Sequence, residues 1–278
     1  MSAGHIEEIR VVLLGKTGAG KSSLANTLLG REAFEISRGL SSGTEFCQNA
    51  DTEIDGKILQ VTDTPGLCDT HRPEEEVLRE VAKSIAITGP GPHVVLMVLR
   101  CDRRFTEEEY EAFCTFKLLF GSDVCKHSIV VFVGIDGLTS NPAERQTVLK
   151  EILKSAPKNL QQILSDCSQR SFAVDNKALL EDRNNQAREL WDIISSLVKS
   201  KNGTFFKHHL CEEVNKIFED AVQKRMSEHS TTRLEAIRET RNLISQGEVD
   251  RSLIDSFISK VKSFFKDPSK KWKSCSLM

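Results

Sequence analysis

Lys21 and Ser22 close the run Gly15-Lys16-Thr17-Gly18-Ala19-Gly20-Lys21-Ser22, which fits G-x-x-x-x-G-K-[ST] and is extended by Ser23. Glycines at this spacing let backbone N–H groups curl around a polyphosphate, and a helix beginning at Lys21 adds the positive end of its dipole. In such a loop Lys21 reaches the β- and γ-phosphates and the Ser22 hydroxyl ligates Mg²⁺. Asp63-Thr64-Pro65-Gly66 follows 42 residues after Lys21, at the end of the apolar run Ile58–Thr62. An acid at a strand end beside a phosphate loop holds Mg²⁺ through water, and Gly66 can offer its N–H to the γ-phosphate. Between the two lies the polar stretch Ser41-Ser42-Gly43-Thr44. Thr44 is the candidate to close the Mg²⁺ shell only when a γ-phosphate is present, which makes it a switch residue.

These residues need a scaffold that brings strand ends together. Ile9–Leu14, Ile58–Thr62, Val94–Leu99, Ile129–Val133 and Phe172–Val174 are short and rich in Val and Ile, as strands covered on both faces are. Helix-like stretches alternate with them: Lys21–Leu29, Glu74–Ile87, Thr106–Phe120, Pro142–Ala156 and Asn184–Lys199. Thr106, followed by Glu107, Glu108 and Glu109, offers a capping box. Alternation of this kind predicts a three-layer α/β domain, a mostly parallel sheet with helices on both faces. The phosphate loop then stands directly after the first strand and before the first helix, the context it requires. After Asn202-Gly203 the strand signal stops. Apolar residues recur at helical spacing from Phe206 to Ala221 and again from Leu253 to Phe265, predicting an α-helical extension over 204–278 behind a domain over 1–203.

Composition bounds the remaining possibilities. The 278 residues carry 38 Lys+Arg against 40 Asp+Glu, with 39% hydrophobic and 28% charged, which excludes a wholly disordered chain and a uniformly basic nucleic-acid binder. The charge is uneven: from Arg251 onward seven Lys/Arg face two Asp, so the tail is basic. No apolar run approaches the ~20 residues of a bilayer-spanning helix. The N-terminal residues resemble neither a secretory leader nor a myristoylation signal, and the eight scattered cysteines read as reduced thiols. The last four residues, Cys275-Ser276-Leu277-Met278, fit C-a-a-X, with Ser276 a tolerated departure at the first aliphatic position and Met278 favouring farnesyl. The lysines beside them supply the polybasic second signal that one lipid chain needs. The expectation is peripheral attachment to the cytosolic face of a membrane through Cys275.

Taken with the phosphate loop and Asp63, the segment Gly91-Pro92-His93-Val94-Val95-Leu96, running on through Arg100 to Arg104-Phe105-Thr106-Glu107-Glu108, resembles the GIMAP or AIG-type family. These are the immunity-associated nucleotide-binding GTPases, related to septins and to chloroplast import GTPases. The resemblance covers about Ile9 to Lys199. It implies a G domain that binds GTP and GDP with Mg²⁺ and associates as a homodimer or oligomer, with no nucleic-acid partner. The base-reading motif departs from N-K-x-D, since Val133 and Gly134 stand where Asn and Lys would. Asp136 remains to accept guanine N1–H and N2–H, and Asn176 of Val174-Asp175-Asn176-Lys177 is the second base contact the family implies. Leu67 follows Gly66 where Ras-like proteins place the glutamine that orients water, so intrinsic hydrolysis should be slow. Arg104, with Arg103 and Arg100 nearby, is the candidate to act in trans across a dimer. Two other readings stay open: a non-hydrolysing, GTP-locked oligomeric scaffold, and a P-loop ATPase or kinase, against which Asp136 and Asn176 argue.

Overall fold

The computed structural model describes residues 7–36, 47–65 and 74–246, together with 255, 258 and 259. Thr44, Gly66, Leu67, Cys275 and the lysines beside it lie outside the described residues.

Six strands form one sheet in the order β2-β3-β1-β4-β5-β6. They are β1 (Glu8–Leu14), β2 (Gln48–Ile54), β3 (Lys57–Asp63), β4 (Val94–Arg100), β5 (Ser128–Val133) and β6 (Ser171–Val174). All neighbours are parallel except β2 and β3. The five predicted strands are present, and β2 is an addition. Its sequence, Gln-Asn-Ala-Asp-Thr-Glu-Ile, lacks the apolar density of the others because it is an edge strand. Asp55 and Gly56 join it to β3 with φ of 52° and 72°, the left-handed pair a tight hairpin needs.

Side chains alternate strictly between the two faces of the sheet. Ile9, Val11 and Leu13 of β1, with Val94, Leu96 and Val98 of β4, pack with α1 (Lys21–Leu29) and α6 (Leu180–Ser200). Val12, Leu14, Val95, Met97 and Leu99 face the other way, toward α2 (Glu74–Ile87), α3 (Glu107–Phe120), α4 (Arg145–Lys154) and α5 (Lys158–Asp166). Thr106 caps α3 as its sequence predicts: its side chain accepts from Glu109 N while the Glu109 carboxylate accepts from Thr106 N. The single helix expected over 142–156 is a short 3₁₀ turn and α4, and α5 follows after Pro157, which begins it.

Two further helices, α7 (His209–His229) and α8 (Arg233–Gln246), make the C-terminal extension and pack on α2. Cys47, Ile87, Phe218, Val222, Ala236 and Ile244 form a small core there. Arg241 Nη1 lies 2.5 Å from Glu8 Oε1 and Arg238 Nε 2.8 Å from Asp51 Oδ2, which pins α8 to the β1–β2 side of the sheet. Ile258, from the apolar face predicted for the last segment, is 4% exposed and packs into the main core.

Candidate nucleotide-binding site

The phosphate loop is the turn between the end of β1 and the start of α1. Gly15 passes so close to β4 that a Cβ there would sit 2.5 Å from the Val98 carbonyl oxygen, so the backbone route tolerates no side chain. Lys21 opens α1 and folds back over the loop, its Nζ 3.0 Å from Gly15 O and 3.1 Å from Lys16 O. With only 5% exposure it places an ammonium at the loop's mouth without offering it to bulk water. Of the rest of the run, Ala19 is buried under the loop, while Thr17, Gly18, Ser22 and Ser23 are at least partly accessible.

The parallel register sets Asp63 beside Leu13, at the same end of the sheet as the loop. Ser22 Oγ donates to Asp63 Oδ2 at 2.5 Å, joining two of the three predicted metal-binding residues directly. A hydroxyl and a fully buried carboxylate side by side are hard oxygen donors of the type Mg²⁺ takes, so this pair fits the ion. Thr64 Oγ1 donates to Leu13 O at 2.7 Å and fastens the chain as it leaves β3.

The segment after β4 closes over the loop from α3. Lys16 pairs with Glu108, and Arg103 Nη2 lies 3.4 Å from Gly18 O. Both neighbouring arginines are exposed, and Arg103 is the one that touches the phosphate loop of its own chain. Sequence reasoning named Arg104 first; the two are adjacent and no spacing rule separates them.

The corner expected to take the base is built from three elements. Asn176, after β6, accepts a hydrogen bond from Thr27 Oγ1 of α1 at 3.1 Å, and a Cβ on Gly20 would lie 3.8 Å from its Nδ2. Asn176 therefore stands directly behind the phosphate loop. Asp136, after β5, has Lys177 Nζ 2.7 Å from its Oδ2. Gly134 turns left-handed at φ 82°, and the Asp102 carboxylate carbon would be 2.8 Å from any Cβ there. Arg100 Nε holds Asp102 Oδ1 at 2.8 Å. Asp102 and Lys177 were not singled out from sequence as parts of this corner.

Just before β2, Glu80 of α2 accepts from Cys47 N at 2.8 Å and pairs with Lys83 Nζ at 3.0 Å. Burial pushes the Cys47 thiol well up, and the Glu80 carboxylate adds to the shift. A thiol held protonated there is a packing group and not a nucleophile.

Comparison with known proteins agrees with this geometry. The pattern of the AIG1 family matches residues 9–226. Immune-associated nucleotide-binding protein 9 of Arabidopsis thaliana is 32% identical over 217 residues, covering 77% of this chain and 61% of that protein. Immune-associated nucleotide-binding protein 10 of the same plant is 32% identical over 206 residues, 73% of this chain and 44% of its own length. The chain thus spans between 44% and 61% of the length of these relatives. Among solved structures, Arabidopsis thaliana Toc33 with Mg²⁺ and GMPPNP superposes with a TM-score of 0.52 at 20% identity, covering 70% of this chain and 86% of that one. Its complex with GDP and Mg²⁺ gives 0.53 at the same identity and coverage. This is a likeness of fold, that of the P-loop G domain.

Proposed function

Because the chain belongs to the AIG1 family, we propose that it binds GTP and GDP with Mg²⁺ and hydrolyses GTP slowly, as a switch on the cytosolic face of a membrane. The observation that carries this reading is the 2.5 Å contact between Ser22 and Asp63 at the mouth of a loop closed by Lys21. Ser22 and Asp63 would hold the metal, which neutralises charge on the β- and γ-phosphates when bound. Lys21 would exchange its loop carbonyls for phosphate oxygens, and Asp136 with Asn176 would take the guanine edge. Thr44 and Gly66 would complete the γ-phosphate contacts. The 1–203 segment would be the G domain and the 204–278 segment its helical extension.

Hydrolysis would depend on association. Leu67 offers no hydrogen bond to the attacking water, so the missing group would come from Arg104 or its neighbour Arg103 across a dimer of G domains. An arginine supplied in trans is worth roughly 10³–10⁵ in rate. Toc33 and Toc159 supply a parallel, since for those chloroplast translocon components dimerisation is important for the GTPase activity. The test is single-turnover GTP hydrolysis followed over a wide dilution series. Specific activity rises with protein concentration and falls in R104A or R103A while nucleotide binding persists. A rate per molecule that stays flat while the dimer dissociates overturns the association step. Complete absence of turnover favours instead a GTP-locked oligomeric scaffold, the reading that Leu67 alone would suggest. For the membrane, farnesyl on Cys275 and the tail lysines would act together, each lysine adding up to ~1 kcal/mol at an anionic leaflet. Intact mass spectrometry of protein from eukaryotic cells checks it: removal of Ser276-Leu277-Met278 with added lipid mass is expected.

A further inference from the structure

The carboxylate read as the base acceptor is held by a neighbour. Lys177 Nζ reaches Asp136 Oδ2 at 2.7 Å and so bridges the loop after β5 to the loop after β6. In N-K-x-D the lysine would stand at position 134, but here Asp102 occupies the space a side chain would need. Arg100 in turn engages Asp102, its Nε 2.8 Å from Oδ1. A lysine serving Asp136 has to come from another loop.

The loop that supplies it is firmly fixed. Lys177 N donates to Asp175 Oδ1 at 2.8 Å. The main chain of Asp175 is gripped on both sides by fully buried Gln186, whose Oε1 accepts from Asp175 N at 2.6 Å and whose Nε2 donates to Asp175 O at 3.3 Å. Asn176, between them, is tied to Thr27 of α1. A rigid backbone therefore presents a side chain that is itself 77% exposed and that crosses to one oxygen of Asp136.

We propose that Lys177 is a specificity-determining positioning residue: it pins Asp136 so that the carboxylate discriminates guanine from other purines. This rests on the reading of Asp136 as the base acceptor. An ionised carboxylate offers about four lone-pair sites, of which Lys177 takes one. Enough remain for guanine N1–H and N2–H. Discrimination arises when a base lacking the 2-amino group leaves a fixed acceptor unpaired; an acceptor free to turn toward water escapes that penalty. Asp136 is 25% exposed, so without Lys177 it can turn.

The test is calorimetric binding of GDP, IDP and ADP, each with Mg²⁺, to the full chain and to K177A, K177R and D136A. Hypoxanthine differs from guanine only by the missing 2-amino group, so the IDP/GDP ratio of Kd values reads the pinning directly. In K177A that ratio falls by about three- to tenfold, because GDP loses more affinity than IDP, and K177R restores most of it. If all three nucleotides weaken together and the ratio is unchanged, Lys177 is only a nearby positive charge and the proposal is overturned. D136A separates the two levels. A ratio that D136A leaves at the wild-type value removes Asp136 as base reader, and the underlying reading falls. A ratio that D136A collapses and K177A does not leaves that reading standing and overturns this inference alone.

Discussion

At the scale of single residues, the phosphate loop is fixed by a close approach as much as by any side chain. A Cβ at Gly15 would meet a carbonyl oxygen of β4, where Val98 is paired with Val131 of β5 on a strand that lies between β1 and β5. Neither strand can give way cheaply. Gly15→Ala is therefore expected to cost about 1–3 kcal/mol of stability, the usual range for forced overpacking, and to abolish GDP binding. Urea denaturation and calorimetry check the two parts; a variant that binds GDP normally would show that the loop has another route. Lys21→Ala separates charge from path. It removes the ammonium facing the phosphates, so nucleotide binding is lost while the urea midpoint moves little. The phosphate side of the site was legible in the sequence because its residues are consecutive or stand at strand ends. The Lys177–Asp136 contact was not, since it joins loops 41 residues apart whose spacing obeys no rule.

At the scale of elements, α3 is the piece that carries the site's outer wall. Its first turn holds Glu108 against Lys16, and its capping box holds that turn closed. Thr106→Ala removes one half of the box, leaving the Glu109 N–H without its acceptor. A loss of about 1 kcal/mol is expected, read as a lower urea midpoint with an unchanged slope. An unchanged midpoint would mean that packing of Phe113 and Phe116 alone fixes the helix start. This cap was visible in the sequence because both partners lie within one turn. The edge strand β2 was missed for the opposite reason. Half-exposed, with Asp51 and Glu53 along it, it shows no apolar run, and its place is specified by pairing with β3 and by α8. The Asp55-Gly56 turn was the signal that could have found it. The boundary between α4 and α5 was likewise marked by Pro157, which cannot lie inside a helix but readily begins one.

At the scale of the whole molecule, the two faces of the sheet are built differently, and acid should find the difference. Apart from Lys21 at the phosphate loop, the polar side chains that α1 and α6 bury are neutral, Asn26, Thr27 and Gln186, whereas the face under α2 and α8 carries a buried ionic chain. Arg241 engages Glu8, Glu8 engages Arg10 at 3.1 Å, and Arg10 N donates to His93 Nδ1 at 3.0 Å. Through this chain the C-terminal helices are joined to the central strand of the G domain. Burial, reinforced by the Arg10 charge, depresses His93 from 6.5 to about 3, so the ring stays neutral and keeps accepting. For Glu8, burial alone would raise the carboxyl, but the Arg241 hydrogen bond and the charges of Arg241 and Arg10 outweigh it and bring it from 4.5 to about 2. In each case the unfolded chain takes up a proton at a higher pH than the folded one. Stability is thus complete above pH 6.5 and is lost first through His93 as pH falls from 6.5 toward about 3, with a further loss through His127, whose ring burial also lowers. Glu8 adds its own loss between 4.5 and about 2. Each pH unit over which one such group differs by a full proton removes up to about 1.4 kcal/mol. His93→Gln keeps an acceptor for Arg10 N but cannot titrate. Its urea midpoint should fall less steeply below pH 6.5 than that of the unaltered chain, the remaining slope coming from His127, which burial also lowers, and from Glu8 once the unfolded chain protonates it near 4.5. If the two curves fall in parallel, His93 is not the group that senses the acid, and the link between the helices and β1 fails elsewhere.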